Sequence, residues 1–202
     1  MDFASKNLTA GQLNALVKIL GGEEVVHGIL NKSVEVVVNT VKLLRQLTIV
    51  SAAGIQKFAA AGAFGENNPD GIKFYLWKNF QNNFLGKIEE DVPAATIAVH
   101  RLEKSSRDQG IMAELGIDLE TKKGVIKLAH FFELIKAQAN GQEGQLLVNG
   151  YANIAYIEDE NGKLWAVSAD WGSDGRGWDV YASSVEDPRE WRDGGRVLSQ
   201  VS

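Results

Sequence analysis

An Asn-Gly dipeptide near the carboxyl end constrains the fold of this chain more than any other feature. It stands at 161–162 between two segments, 146–158 and 163–171, in which apolar and polar residues alternate. Asn-Gly between such segments is the strongest short-range signal for a β-hairpin, because both residues accept the positive φ angles of a tight turn. The module at 145–202 is therefore predicted to be an antiparallel meander of about four strands. Its last two strands are expected at 177–184 and 194–200.

The amino-terminal end carries the pattern of two short helices. Thr9 and Gln12 have the spacing of a capping box, which places the first helical residue at Ala10. A second helix is predicted over 23–30, where two glutamates stand at the positive end of the helix dipole. We therefore expect residues 1–30 to form a helical arm, packed on the rest of the chain or on a neighbour. The apolar face of its first helix is expected to consist of Leu13, Leu16, Val17 and Leu20.

Residues 31–202 are predicted to form one compact α+β domain whose middle part mixes helices and strands. Within it, the segment 32–50 is ambiguous, because its β-branched residues favour strands while its polar residues recur at helical spacing. We predict two strands there, on either side of Asn39 and Thr40. Further strands are predicted at 71–77 and 93–103, a helical or turn segment at 79–88, and helices at 52–64, 105–117 and 121–141.

The last two of these helices have the clearest local signals. Ser106 and Gln109 form a second capping-box pair, and Gly116 suits the left-handed turn that ends a helix. The 121–139 segment is predicted to be the longest amphipathic helix of the chain. Its buried face is expected to consist of Val125, Leu128, Ala129, Phe132 and Ile135.

Composition and charge exclude several classes of function. The 202 residues include no cysteine, which removes disulfides, thiolate nucleophiles and cysteine-ligated metal centres, and fits a reducing compartment. No apolar run reaches the ~20 residues that span a bilayer, so we expect a cytoplasmic protein without a membrane partner. Residues 141–202 carry 11 acids against 5 bases. Because phosphate binding requires clustered cations, we expect no nucleic-acid partner.

The tryptophans of the last third belong either to the core or to a binding face. A strand over 164–171 places its two tryptophans on the same side as Val167, which favours a core. Trp178 and Trp191 stand nearer to turns and are the better candidates for exposure. If this region binds a ligand, the candidate binding residues are Trp178, Asp179, Tyr181 and Trp191.

The sequence contains no recognisable metal-binding or catalytic motif. Its three histidines stand in separate segments, and none has a second ligand at the spacing of a zinc site. The acidic stretch 170–179 is similar to a calcium-binding loop, but Gly172 and Tyr181 occupy two of the ligand positions. There is no phosphate-binding loop, dinucleotide fingerprint or nucleophile elbow. We therefore predict no cofactor, no metal site and no catalytic residue.

Three stretches carry a likeness to a protein family: "LTAGQLNALVKILGGEE", "IKLAHFFELIKAQANGQEGQLLVNGYANIAYI" and "LWAVSADW" with "GWDVYASSVEDPREW". They resemble successive parts of a group of uncharacterised bacterial proteins that are common in reduced-genome candidate lineages. The resemblance implies a glycine-joined helix pair followed by a tryptophan-rich β module, and it implies no activity, cofactor or partner. The group often ends in a "VFSR"-like tail where this chain reads "RVLSQVS", so no role is expected of a terminal arginine.

Two functions of different classes are consistent with these patterns. The first is a non-catalytic protein-interaction or structural protein, since packing signals are abundant and catalytic motifs are absent. The second is a small-ligand binder or enzyme with a pocket between the carboxy-terminal β module and the 121–139 helix. A convergent polar pocket would favour the second, and an apolar patch with a polar rim the first. The polar groups of the pocket are expected to be His130, Asp170, Asp179 and Tyr181.

Overall fold

The chain separates into two units, Met1–Val41 and Lys42–Ser202. In the first unit two helices are described, α1 (Ala10–Ile19) and α2 (Glu23–Leu30). The sequence predicted a boundary after residue 30. Most of the residues between 30 and the observed boundary at Val41 lie outside the described part of the chain. The computed structural model describes residues 9–31, 42–118, 120–172 and 177–201.

The predicted capping box begins α1. Thr9 N donates to Gln12 Oε1 at 2.8 Å, and Gln12 N donates to Thr9 Oγ1 at 3.3 Å. Both bonds satisfy N–H groups that the start of a helix leaves unpaired. The helix therefore begins at Ala10, as predicted.

In its described residues the second unit contains nine strands and four helices. The strands are β1 (Leu44–Ala52), β2 (Ile55–Ala59), β3 (Phe74–Leu76), β4 (Ile88–Val92), β5 (Ala95–Leu102), β6 (Asn153–Glu158), β7 (Leu164–Gly172), β8 (Gly177–Ser184) and β9 (Arg196–Val201). The helices are α3 (Ala60–Phe64), α4 (Lys78–Phe84), α5 (Asp108–Leu115) and α6 (Leu128–Lys136). The chain is therefore of mixed α and β structure, as predicted.

Seven strands form one mixed sheet in the order β1-β5-β9-β6-β7-β8-β3, and β2 pairs separately with β4. The Asn-Gly hairpin is confirmed, because β6 and β7 pair antiparallel up to Glu158 and Leu164 and Gly162 has a φ of +78°. The four-strand meander is wrong in its last strand. β9 returns past β6, pairs parallel to it and antiparallel to β5. Val197 and Leu198 are fully buried in different clusters, so β9 occupies an interior position rather than the edge of a meander.

The strand predicted at 146–158 begins only at Asn153. The Asn153 side chain accepts from Leu147 N at 2.6 Å and donates to Leu147 O at 3.0 Å, which closes a turn before the strand. Of the two strands predicted in 32–50, the second corresponds to β1. The first lies outside the described residues.

Two helix predictions were too long. The 52–64 segment begins as β2, since pairing of Ile55 with Val92 and burial of Phe58 override its alanine-rich helix propensity. The 121–141 segment becomes helical only at Leu128, because Ile126 N first donates to Tyr156 O at 3.0 Å. The residues predicted to be its buried face are nevertheless buried.

The capping box predicted at Ser106 and Gln109 is wrong. Arg107 is the N-cap of α5, without a side-chain cap bond, and Ser106 instead forms a backbone bridge with Trp191. The end of α5 is as predicted. Gly116 is left-handed, and Ile117 N donates to Met112 O at 3.0 Å.

Helices bury parts of both faces of the sheet. On one face, phenylalanines from α3, α4 and α6 pack with Val167 and Trp178 in the larger core. On the other face, Ile111 of α5 packs with Tyr156 and Ala166 in a smaller core. The two tryptophans of β7, Trp165 and Trp171, pack against the larger core, which confirms the core interpretation of these two residues.

Candidate functional site

A cleft of about 250 Å³ opens on the face of the sheet that α5 covers. Its lining comes from β7, β8, the first turn of α5 and the segment that follows β8. The described residues that line it are Asp108, Ser168, Asp170, Tyr181, Ser183, Asp187, Arg189, Glu190 and Trp191.

The register of β7 and β8 places the polar side chains of the floor on one face. Asp170 lies opposite Asp179, and Ser168 lies opposite Tyr181. Because side chains alternate along a strand, these residues point away from Val167 and its large core. The face is apolar where α5 covers it and polar at the cleft.

Asp108 fixes one wall of the cleft. Its Oδ1 accepts hydrogen bonds from Tyr156 Oη and from Trp191 Nε1, both at 2.7 Å. The backbone bridge between Ser106 and Trp191 holds the same wall from the other side. Burial raises the pKa of Asp108, while these two donors act in the opposite direction. The indole of Trp191 is therefore positioned rigidly at the cleft.

Among the acids of the cleft, Asp170 has the pKa that is shifted furthest from its ordinary value. Removal from water, together with the charge of Asp179, raises the pKa of Asp170 to about 7. Its Oδ1 atom is buried and accepts no hydrogen bond from the described residues. Asp179 itself is only 7 % exposed. At neutral pH this carboxyl is therefore partly protonated, and it lacks a compensating positive charge among its described neighbours.

The charge of the cleft is negative. Its described lining includes four acids and one base, Arg189. Arg189 already binds Asp187 through two of its nitrogens, at 3.1 and 2.8 Å, and this pairing lowers the pKa of Asp187. The arginine therefore neutralises its own partner rather than Asp170.

An aromatic shelf adjoins the cleft and consists of Tyr75, Trp77 and Tyr181. Trp77 stacks on Tyr181 with ring centroids 4.9 Å apart and planes inclined by 22°. Tyr75 meets Trp77 edge to face at 5.7 Å. Tyr75 and Trp77 are 47 % and 46 % exposed. Because Tyr181 belongs to both, the shelf and the cleft form one continuous surface.

The structure brings two of the predicted binding residues, Tyr181 and Trp191, into the cleft. Asp179 does not line it but lies directly opposite Asp170. The expected exposure of Trp178 is wrong, because this side chain is fully buried and its Nε1 donates to Gln138 O at 3.2 Å. Trp191 is half-buried rather than fully exposed.

The cleft lies elsewhere than the expected pocket between the β module and the 121–139 helix. His130, from that helix, is 1 % exposed and does not line the cleft. Burial lowers the pKa of His130, with the charge of Glu89 acting in the opposite direction. Asp170 and Tyr181 are therefore brought together without His130.

Sequence reasoning missed Asp108, Ser183 and the exposed ring of Trp77. A signal existed for Ser168 and Asp170, which the predicted strand placed on one face with two apolar residues. No local signal pointed to Asp108, because its partner Trp191 is distant in sequence.

The described residues contain no cluster of three or more His, Cys, Asp or Glu side chains arranged to hold a metal ion. Within the same residues, no helix is long and apolar enough to cross a membrane. No protein-family model matches the chain. A comparison of the chain with curated proteins and with solved structures likewise found no match.

Proposed function

We propose that this chain is a non-catalytic interaction protein whose cleft binds a positively charged side chain of a partner protein. The observation that carries this proposal is the environment of the Asp170 carboxyl. Its Oδ1 is buried without a hydrogen-bond donor among the described residues, beside a second acid and in a cleft that two aromatic rings also line.

Two other buried acids show what a purely structural carboxylate looks like in this fold. Asp159 accepts from two backbone N–H groups and from Trp165 Nε1, at 2.8 to 3.0 Å. Glu89 accepts from two N–H groups at the start of α6 and lies 3.5 Å from Lys87 Nζ. Burying a carboxylate costs several kcal/mol unless such donors compensate it. Among the described residues, Asp170 Oδ1 has no such donor, and a cation from outside would supply the compensation.

The rings around Asp170 suit the same ligand. Tyr181 and Trp191 line the cleft with Asp170. Aromatic faces attract ammonium and guanidinium groups, and the attraction increases where water is excluded. A carboxylate beside two rings is therefore a better site for an arginine or lysine side chain than for an anion or a neutral ligand.

The size of the cleft favours a side chain over a whole metabolite. Its volume of about 250 Å³ lies below the roughly 300–1,000 Å³ of pockets that enclose a drug-sized ligand. The end of one basic side chain fits such a space, while the rest of its chain lies on the surface outside.

One observation favours the alternative of a small-ligand binder or an enzyme. A carboxyl with a pKa of about 7 suits a general acid or base at neutral pH. In that case the reacting group occupies the cleft beside Asp170. Turnover of a defined substrate, abolished by Asp170→Asn, would support the alternative and contradict a non-catalytic role.

The test of the main proposal is calorimetric titration with the capped peptide Gly-Gly-Arg-Gly-Gly, its lysine counterpart and a neutral citrulline counterpart. We expect the arginine and lysine peptides to bind at pH 8, and the citrulline peptide to bind at least about tenfold more weakly. Asp170→Asn should raise the dissociation constant of the arginine peptide by about tenfold. Glu143→Gln removes the same charge at an exposed position outside the cleft and should change nothing. Equal binding of arginine and citrulline peptides, or full binding by Asp170→Asn, would refute the proposal.

A further inference from the structure

We infer that the partner segment is an extended chain read at two points, with a basic side chain in the cleft and an apolar side chain on the aromatic shelf three residues away. This inference rests on the proposed function and adds the position and the chemistry of a second contact. The cleft alone would accept any exposed basic residue, so the shelf supplies the specificity.

The geometry of the sheet sets the two contacts side by side. Asp170 of β7 lies opposite Asp179 of β8, which in turn lies beside Tyr75 of β3. In the next row, Ser168 lies opposite Tyr181, on which Trp77 stacks. All of these side chains project from one face of the sheet. Neighbouring strands lie about 4.8 Å apart, so the shelf at β3 is about 10 Å from the carboxyl on β7.

This separation fixes the spacing of the partner residues. In the polyproline II conformation, an extended chain advances about 3.1 Å per residue with three residues per turn, so residues i and i+3 project to the same side and lie about 10 Å apart. The bound segment would therefore cross the strands with a basic residue and an apolar residue at positions i and i+3, in either direction.

The shelf has the properties of a surface that binds a partner, rather than those of side chains at the edge of the hydrophobic core. Both Tyr75 and Trp77 expose nearly half of their surface, although aromatic rings contribute most when they are buried. Stacking on Tyr181 holds the Trp77 ring in place before any ligand arrives. An aliphatic side chain that covers these rings removes apolar surface from water at little cost in ordering.

The negative charge of the cleft favours a basic segment as the occupant, and the hydrogen bonding along the edge of the sheet disfavours a different mode of docking. A partner strand that extended the sheet at β3 would need free backbone groups along that edge. Asn68 already bonds both N and O of Ile72, at 3.0 and 2.7 Å, and Gln81 Nε2 donates to Leu76 O at 2.6 Å. With both ends of this edge occupied, the segment binds across the face, toward the acidic cleft.

The experiment is a titration of wild type, Trp77→Ala and Ile88→Ala with three capped peptides, Arg-Gly-Gly-Leu, Arg-Gly-Gly-Gly and Arg-Leu-Gly-Gly. Ile88 is an exposed apolar residue that lines neither the cleft nor the shelf, so its variant is the matched control. We expect Arg-Gly-Gly-Leu to bind wild type and Ile88→Ala about fivefold more tightly than the other two peptides. In Trp77→Ala this advantage should disappear while Arg-Gly-Gly-Gly still binds. Circular dichroism checks folding, and Tyr75→Ala serves as a second shelf variant.

The outcomes separate the inference from the function on which it rests. If the arginine peptides bind wild type equally, or if the advantage of leucine survives both shelf variants, the two-point inference is overturned and the proposed cation-binding function of the cleft stands. If no arginine peptide binds wild type at all, the proposed function fails and the inference fails with it.

Discussion

Replacing Asp170 by asparagine should make this protein more stable at neutral and alkaline pH. The substitution keeps the shape of the side chain and removes its charge. Burial, assisted by the charge of Asp179, raises the pKa of Asp170 from the ordinary 3.8 to about 7. The folded chain therefore resists ionising this group, whereas the unfolded chain ionises it freely.

The sign and the size of the effect follow from proton linkage. Between about pH 4 and pH 7 the folded state keeps the Asp170 proton and the unfolded state loses it. The free energy of unfolding therefore falls as pH rises through this window, by about 1.4 kcal/mol per pH unit. The whole contribution is on the order of 4 kcal/mol, present below pH 4 and lost above pH 7. Asparagine cannot ionise, so the variant escapes this loss.

The assay is urea unfolding at pH 4.5, 6 and 8, followed by tryptophan fluorescence. The difference between variant and wild type is the quantity to measure, because titrating groups that do not interact with Asp170 cancel in it. We expect a difference within about 1 kcal/mol at pH 4.5, rising to a gain of several kcal/mol for Asp170→Asn at pH 8. Glu143→Gln should show no such trend. A difference that does not change with pH, or a less stable Asp170→Asn at pH 8, would refute the reasoning.

Two further substitutions test the start of α6 and the turn that follows this helix. Glu89→Gln should lower the free energy of unfolding, measured in urea, by about 1–3 kcal/mol. The buried Glu89 carboxylate accepts from the N–H groups of Leu128 and Ala129, and an amide is a weaker acceptor. An unchanged midpoint would show that this cap does not stabilise the fold. Gly141→Ala should lower the melting temperature by several degrees more than Gly150→Ala. Both glycines have positive φ, but only at Gly141 would a Cβ meet a ring, 2.1 Å from Trp171; equal losses would show that backbone strain alone matters.

Elements with local end signals could be predicted from the sequence, and elements placed by distant partners could not. Thr9 and Gln12 begin α1 through bonds between themselves, and the Asn-Gly turn closes β6 and β7 by its own φ preferences. The Ser106 signal failed because a bridge to Trp191 competes for its backbone. β9 pairs with β5, almost a hundred residues earlier, and no local pattern encodes that choice.

For the candidate site, the sequence predicted some of the residues that line the cleft, and it missed others that distant segments bring there. The sequence analysis grouped Asp179 and Tyr181 with Trp178, but alternation along β8 places Trp178 on the opposite face, where it contacts Gln138 and Trp171 from other segments. Its position near a turn therefore misled the prediction of exposure. Asp108 entered the cleft through a hydrogen bond to Trp191, and such a pairing has no sequence signature.

The effects of Asp170→Asn on stability and on binding also distinguish a structural role of this carboxyl from a binding role. If the carboxyl served only the fold, asparagine would cost stability, since removing a structural acid leaves its donors unpaired. If the carboxyl serves a cationic partner, asparagine gains stability and loses binding, because the partner compensates a charge that no described residue of the free protein compensates. Opposite changes in stability and affinity from one substitution are therefore the expected signature of a binding cleft, and parallel losses would identify Asp170 as part of the scaffold.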